Sequence, residues 1–288
     1  MKLAFSTLGC PQWTVEQVAE AARNLGYQAI ELRALGGQID LLERPEFQPH
    51  TIERTRAFLQ DQNLPVCCVD TSCSFDAIDE GTRQENVEIA LRHCELADAL
   101  GAPLIRVFPN EIPPGATRAE TRDRIARSLR EVARRAPSGV RVCLETHGDF
   151  AIGSEAAEIV RLADHPNLAI IWDAANSFAA GDTVEDTARA VAPYLQHVHL
   201  RDARPKSGQS VWQPVLAGRG QVPLRQVIER LRSMGYDGYI SFEWEKYWHP
   251  EIEEPEVALP DFMAAMQAML REEVKAQGGR KRASVKEE

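Results

Sequence analysis

Short apolar runs alternate with longer amphipathic segments along almost the whole chain. The apolar runs are rich in β-branched residues and are bounded by polar residues or glycine, as buried strands are. The segments between them repeat apolar positions at helical spacing, and the first begins at the capping residue Thr14 and stops at Gly26. The predicted strands lie at 2–6, 28–33, 66–71, 104–108, within 140–148, and at 168–173, 195–200 and 238–243. The predicted helices lie at 14–25, 51–62, 82–100, 118–135, 154–163, 183–191, 224–234 and 258–273.

This alternation predicts a single-domain α/β fold, the (βα)8 TIM barrel. Strands that are joined by helical crossovers run parallel, and eight of them close into a barrel at about this chain length. We expect the barrel to span residues 1–277 and a disordered tail to cover 278–288. An open doubly wound sheet is the competing architecture, but no Gly-x-Gly-x-x-Gly turn follows the first strand. The pair Gly218 and Gly220 is more typical of a flexible connection than of a phosphate cradle.

Four consecutive strands in the second half of the chain each end in a residue that can bind a metal ion. The run that begins at Val140 breaks into Glu145, the next strand ends in Asp173, the third carries His199 and the last ends in Glu243. In a barrel of this type the carboxyl ends of neighbouring strands converge on one point. Two Glu, one Asp and one His form an oxygen-rich set that suits manganese, magnesium or another divalent ion. The sequence therefore predicts a buried metal site at this end of the barrel.

Composition restricts the kind of partner. The chain has 288 residues, of which 44% are hydrophobic, and a formal net charge of −10. This charge argues against a nucleic-acid surface and weakly favours a small-molecule partner. No apolar stretch is long enough for a membrane span, and the first residues do not resemble a targeting segment. The six cysteines lack metal or redox spacing, so we expect buried reduced thiols in a cytoplasmic protein. The sequence leaves open whether the protein is a homo-oligomer.

Several segments at these strand ends resemble one known family. The segments Cys143-Leu-Glu-Thr-His-Gly148, Ile171-Trp-Asp173, His197-Val-His-Leu-Arg-Asp202 and Ser241-Phe-Glu-Trp244 are similar to the xylose isomerase-like TIM barrel superfamily of sugar phosphate isomerases and epimerases. The likeness extends from the first strand to Glu243. It implies a divalent-metal-dependent isomerase or epimerase that acts on a sugar or related polyhydroxy ketone by proton transfer next to the carbonyl, through an enediolate.

The resemblance also implies roles for individual residues. It assigns Glu145, Asp173, His199 and Glu243 as ligands of one divalent ion, most often Mn2+, with Mg2+, Co2+ or Zn2+ as alternatives. In ketose 3-epimerases of this superfamily the two Glu also exchange the substrate proton, so Glu145 and Glu243 are the expected catalytic residues. The chemistry agrees with this pattern. A proton next to a carbonyl is a poor acid and needs a nearby base together with a cation that stabilises the enediolate oxygen.

We expect substrate contacts at Glu31, Asn176 and Arg204. Glu31 ends the second strand, where it either lines the pocket or pairs with arginines in an ion network. Asn176 replaces the His that epimerases usually carry three residues after the metal-binding Asp, and Arg204 is one of the Arg residues in the loop after His199. These departures leave the substrate open. The sequence carries no evident glycine-rich phosphate site, which mildly favours a free sugar or polyol.

Three alternatives stand beside the epimerase. The segment Glu145-Thr-His147 resembles metal-dependent dehydratases of the same superfamily, which act on 3-dehydroshikimate or an inosose and use a His two residues beyond the metal-binding Glu as base. Strand alternation would place Glu145 and His147 on one face, so His147 serves either as the base or as a hydrogen-bond partner of a carboxylate. An apurinic endonuclease needs more His ligands than this chain has. A non-catalytic sugar-binding barrel would leave the metal set empty.

Overall fold

Eight parallel strands form a closed barrel in the computed structural model, which describes residues 1–207 and 211–284. The barrel strands are β1 Lys2–Ser6, β2 Ala29–Leu32, β3 Val66–Ser74, β4 Leu104–Phe108, β5 Arg141–Glu145, β6 Leu168–Asp173, β7 Leu195–Leu200 and β10 Tyr239–Phe242. Strand β10 closes the barrel, because it pairs with β7 on one side and with β1 on the other. Strands β8 (Asp202–Pro205) and β9 (Trp212–Val215) form a separate antiparallel hairpin.

Helices follow the barrel strands and confirm the predicted (βα)8 barrel. They are α1 Val15–Leu25, α2 Ile52–Asp61, α3 Glu80–Leu100, α4 Arg118–Arg135, α5 Gly153–Ala163, α6 Ala174–Ala179, α7 Val184–Val191, α8 Leu224–Ser233 and α9 Pro255–Ser284. Helix α1 shows why the helix boundaries could be predicted from the sequence. Thr14 and Gln17 form a reciprocal capping box at its start, and Gly26 ends it with a φ of +82°, a left-handed conformation that favours glycine.

Alternate residues of the strands point into the barrel, and this alternation determines which side chains lie at its mouth. Cys143 and Ile171 belong to a small cluster formed by residues of β3, β4, β5 and β6. Two positions further along the same strands come Glu145 and Asp173, which therefore share the inward face. The intervening residues belong to the main core between strands and helices, for example Leu144, Trp172 and Val198. All six cysteines are buried and unpaired, as predicted.

The glycine pair at 218 and 220 has a structural partner in the chain itself. The Asp202 carboxylate accepts hydrogen bonds from the backbone N–H groups of Gly218 at 2.9 Å and Gly220 at 2.8 Å, and from those of Ala203 at 2.9 Å and Val222 at 3.2 Å. The prediction of a flexible connection is therefore wrong. This loop is ordered by a buried carboxylate, which fixes the chain between the hairpin and α8.

The last helix is longer than predicted. It begins at Pro255 and continues to Ser284, where the sequence predicts a helix over 258–273. It thus enters the segment 278–288 that the sequence predicts to be a disordered tail. Residues 285–288 lie outside the described residues, and the disorder stays a prediction. Among residues 1–207 and 211–284, no helix combines the length and the apolar character needed to cross a membrane.

Candidate metal centre and active site

The four predicted metal ligands come together at the mouth of the barrel. One ligand atom from each of Glu145, Asp173, His199 and Glu243 lies within 4.8 Å of the others, and all four residues are buried. Glu145 and Asp173 are the last residues of β5 and β6, and the strand register pairs Asp173 with His199 on β7. Glu243 directly follows β10. Four neighbouring strands therefore deliver one donor each to the same place.

Two histidines are held by one carboxylate beneath this cluster. Glu31 Oε2 lies 2.6 Å from His197 Nε2 and 3.0 Å from His199 Nε2. His199 Nδ1 consequently faces the cluster, 3.6 Å from Glu145 Oε2 and 3.4 Å from Glu243 Oε2. A carboxylate on one ring nitrogen orients the other nitrogen towards a ligand, as in many metal-bound histidines. Glu31 therefore positions His199 and is itself fully buried. Its role as a substrate contact stays a prediction.

Two arginines cross the cluster and pair with its carboxylates. Arg106 donates to Glu145 Oε2 at 2.8 Å and lies 3.7 Å from Glu243 Oε1. Arg201 donates to Asp173 and to Glu243 Oε2, the latter at 3.1 Å. Both guanidinium groups are buried. They fix the orientation of the carboxylates, because a guanidinium fork has a rigid geometry.

Burial and charge act against each other on these groups. Burial alone would raise the pKa of Glu145, but Arg106 and His199 hold that pKa well below its ordinary range. Burial raises the pKa of Asp173 to about 6, with Arg201 opposing the rise. Burial alone would lower the pKa of His199, but the surrounding carboxylates raise it well above its ordinary value. The raised pKa of His199 reflects the negative charge of the carboxylates around its ring.

The charge balance and the donor set fit a divalent cation. In the described part of the chain, six carboxylates share this network with three guanidinium groups: Glu31, Asp70, Glu145, Asp173, Glu243 and Glu245 against Arg33, Arg106 and Arg201. Buried charges of one sign need compensation. His199 Nδ1 is buried and has no hydrogen-bond partner within residues 1–207 and 211–271, although it faces three carboxylates. A divalent ion bound between this nitrogen and the carboxylates would meet both needs.

A cavity of about 240 Å³ opens beside the cluster, and His147 lies in its wall. The backbone of His147 is extended, with φ −151° and ψ 155°, so strand alternation continues beyond β5 and places His147 on the side of Glu145. Its ring packs against Phe108, with 4.5 Å between the ring centroids. Its Nδ1 is buried without a hydrogen-bond partner in the described residues, and burial lowers its pKa. Trp248 also lines the cavity and is 53% exposed.

Of the other predicted substrate contacts, one lies in the site and one does not. Asn176 donates through Nδ2 to Glu145 Oε1 at 3.3 Å and accepts from Arg201 Nη2 at 3.0 Å. Arg204 lies on hairpin strand β8 with an exposed side chain, and it is not among the residues that line the cavity. The structure does not bring Arg204 to the cavity, and its substrate contact stays a prediction. The hairpin turns its side chain outwards, and Arg201, two residues after His199, occupies the site instead.

The comparison with protein families agrees with this geometry. A family model described as xylose isomerase-like TIM barrel matches residues 19–268, which is most of the chain. The chain belongs to the xylose isomerase-like TIM barrel family.

The relatives of this chain have low sequence identity to it. The chain is 25% identical to an inosose isomerase of Halalkalibacterium halodurans over 226 residues, which are 76% of this chain and 78% of that protein. It is 26% identical to a D-psicose 3-epimerase of Ruminiclostridium cellulolyticum over 150 residues, which are 50% of this chain and 48% of that protein. The crystal structure of a probable 3-DHS dehydratase from Bacillus anthracis has a TM-score of 0.74 at 20% identity, over 93% of this chain and 99% of that one. This last likeness is a likeness of fold.

Within the xylose isomerase-like barrel, several charged residues of the site lie beyond what the sequence singled out. Arg201 and Asp70 are the main ones, and both are buried. The sequence spacing could have identified them, because each stands two positions after an inward-facing residue. Arg201 follows His199 in this way, and Asp70 follows Cys68 of the small barrel cluster. Charged residues that continue the inward face of a barrel strand belong to the mouth of the barrel.

Proposed function

We propose that this protein is a divalent-metal-dependent isomerase or epimerase that moves a proton at the carbon next to the carbonyl of a sugar or related polyhydroxy ketone. The observation that carries the proposal is the position of Glu145 and Glu243. Glu145 ends β5 and Glu243 directly follows β10. These are the two outer strands of the run β5, β6, β7 and β10, so the two Glu flank Asp173 and His199 from opposite sides. An inosose isomerase and a psicose epimerase among the relatives support the same reaction class.

Individual residues of the chain have different roles in the proton transfer. Glu145 removes the proton from one face of the substrate carbon, and Glu243 returns a proton to the opposite face. Arg106 and Asn176 hold the two oxygens of Glu145, which fixes the direction from which it approaches. Together with Asp173 and His199, the two Glu would hold a divalent ion, preferably Mn2+. When bound, that ion would supply a Lewis acid for the negative charge that develops on the carbonyl oxygen.

A dehydratase is the second candidate, and one observation favours it. His147 lines the cavity beside Glu145, and its Nδ1 has no hydrogen-bond partner in the described residues. A histidine free of such a partner can accept a proton from a substrate carbon and so start the loss of water. In this case Glu145 acts as a metal ligand alone.

Proton NMR in deuterated water distinguishes the two candidates. The manganese-loaded protein is incubated with a panel of ketoses, inososes and 3-dehydroshikimate. For an isomerase or epimerase we expect deuterium at the carbon next to the carbonyl, together with signals of a new ketose or inosose. Formation of a vinylic or aromatic product would contradict this proposal and assign the protein as a dehydratase with His147 as base.

A further inference from the structure

Arg33 is a buried cation in the wall of the same cavity. It directly follows β2, and only 3% of its surface is exposed. Its Nη2 donates to Ser72 Oγ at 2.8 Å and its Nη1 to the Ile39 carbonyl at 3.4 Å, and both of these acceptors are neutral. Among residues 1–207 and 211–271, whose side chains the structure describes, no carboxylate oxygen lies within 4.0 Å of Arg33. Arg106 and Arg201, in contrast, each pair with carboxylates of the cluster.

An unpaired buried guanidinium group is unfavourable unless an anion joins it. Burial lowers the pKa of Arg33 to about 10, and the neighbouring cation Arg106 adds to this effect. Other carboxylates of the network act on it from a distance and do not reverse the shift. The two terminal nitrogens of a guanidinium group match the two oxygens of a carboxylate in a bidentate pair. Arg33 therefore has the properties of a binding group for an external anion.

The barrel places Arg33 at a distance from the proposed metal ligands. Around the barrel the strands run β1, β10, β7, β6, β5, β4, β3 and β2, so β2 lies across the mouth from β6, which carries Asp173. A substrate with its carbonyl beside Asp173 and the two Glu would extend its other end towards Arg33. The cavity of about 240 Å³ is small for a ligand site, which favours a single monosaccharide-sized molecule.

We infer that Arg33 binds a carboxylate at the end of the substrate remote from the carbonyl, so that the substrate is a polyhydroxy keto acid. The inference rests on the proposed function for the position of the carbonyl. A carboxylate fits better than a phosphate, because a phosphate group commonly draws several donors such as backbone N–H groups at a helix N-terminus. Arg33 offers one fork, and Glu145 and Glu243 in the same cavity wall disfavour a dianion.

Matched sugars that differ only at the remote carbon test this assignment. D-fructuronate and D-tagaturonate carry a carboxylate where D-fructose and D-tagatose carry a hydroxymethyl group, and D-fructose 6-phosphate carries a phosphate ester. Binding is measured by calorimetry on the manganese-loaded and on the metal-free protein. We expect at least one acid to bind about tenfold or more tightly than its neutral partner, in line with a charge-assisted bidentate pair. In Arg33→Gln we expect the ratio of the affinities for the acid and for its neutral partner to fall towards one. Arg33→Lys should keep part of the preference for the acid.

Ser72→Ala is the control, because it removes the neutral hydrogen bond of Arg33 and keeps the charge; it should retain the preference for the acid. Thermal unfolding of each variant shows that it is folded, and Arg33→Lys serves if Arg33→Gln does not fold. Equal affinity for acid and neutral sugar in both pairs would overturn the inference. The inference would also be overturned if the phosphate ester bound most tightly, or if Arg33→Gln weakened the binding of the acid and of the neutral sugar by the same factor.

The outcome is separable from that of the proposed function. Hydrogen exchange at the carbon next to the carbonyl, without a preference for acids, would leave the isomerase standing and remove the role of Arg33. A preference for acids without such exchange would support the role of Arg33 and contradict the isomerase.

Discussion

At the scale of single residues, Glu31 determines the direction in which His199 points. One of its oxygens holds the Nε2 atoms of both His197 and His199, and this leaves His199 Nδ1 directed at the carboxylates. A carboxylate that orients a metal-binding histidine contributes to metal affinity although it does not touch the metal.

Glu31→Gln should therefore weaken Mn2+ binding by about 10- to 100-fold, the usual effect of losing such an orienting group. The amide is neutral, so its oxygen accepts more weakly from the two Nε2–H groups that one carboxylate oxygen now holds. Titration of the metal-free protein with Mn2+ in competition with a chelating dye measures the change. Glu53→Gln, on the exposed surface of α2, is the control. An unchanged Mn2+ affinity in Glu31→Gln would exclude this role.

His147 and Glu145 should respond differently to substitution, because only Glu145 belongs to the metal set. We expect Glu145→Gln to lower turnover by about 10²–10⁴, the range for loss of a general base, and to weaken metal binding. His147→Ala should spare metal binding, and it should slow a dehydration far more than an epimerisation. Metal content and turnover of the two variants are measured side by side. The same loss of metal in both would refute this division.

At the scale of elements, the loop before α8 depends on close approach between Gly220 and Asp202. A Cβ atom at Gly220 would lie 2.1 Å from Asp202 Oδ1 and 2.5 Å from the Ala203 carbonyl oxygen, so the loop would have to shift. The two N–H groups at Gly218 and Gly220 would then lose part of their bonding to the carboxylate.

We expect Gly220→Ala to lower the free energy of unfolding by about 1–3 kcal/mol, the usual cost of overpacking. Gly139→Ala is a matched control, because the nearest atom to its Cβ, Asp98 Oδ1, lies at 3.5 Å. Urea unfolding followed by circular dichroism measures both variants. Equal stability of the two would show that the loop accommodates the methyl group.

The barrel strands and long helices were predictable from the sequence, whereas two smaller elements were not. Buried parallel strands are continuous apolar runs, and helices carry caps such as Thr14 that can be recognised locally. The hairpin of β8 and β9 escaped prediction because its first strand, Asp202–Pro205, has four residues, of which half are polar, and no apolar run. Helix α6 is only six residues long, and it starts directly at Asp173, which both caps it and belongs to the metal set.

The candidate site was predictable in its ligands and less so in its cations. Glu145 and Asp173 stand out because each interrupts an apolar strand. Arg201 resembles an ordinary loop residue in the sequence. Its burial is stable because Asp173, Glu243 and Glu245 come from other strand ends to surround it. Such compensation depends on the closed barrel. The spacing of Arg201, two positions after His199, therefore indicates its place at the barrel mouth but not the ion pairs that it makes there.

At the scale of the whole molecule, a metal bound by four strand ends should stabilise the barrel. Each ligand comes from a different strand, so the ion can bind only to the folded chain. Binding to the folded state alone adds about 2.7 kcal/mol to the free energy of unfolding when the free ion is at 100 times its Kd.

Mn2+ should therefore raise the thermal unfolding midpoint of the wild-type protein by several degrees relative to the protein in EDTA. Asp173→Asn should lose most of this increase, because it removes a charged ligand. The control Asp123→Asn, on the exposed face of α4, should keep it. A shift of the same size in Asp173→Asn and in the wild type would place the stabilising metal elsewhere.

The most direct test of proton transfer between Glu145 and Glu243 is hydrogen exchange in deuterated water, measured separately for each member of an epimer pair that the wild-type protein interconverts. The measurement uses saturating Mn2+, with metal content checked in every variant. We predict that Glu145→Gln and Glu243→Gln both stop interconversion, and that each still exchanges the hydrogen of one epimer, a different epimer in each case. Interconversion that survives either substitution, or loss of exchange from the same epimer in both variants, would contradict a mechanism with one Glu on each face.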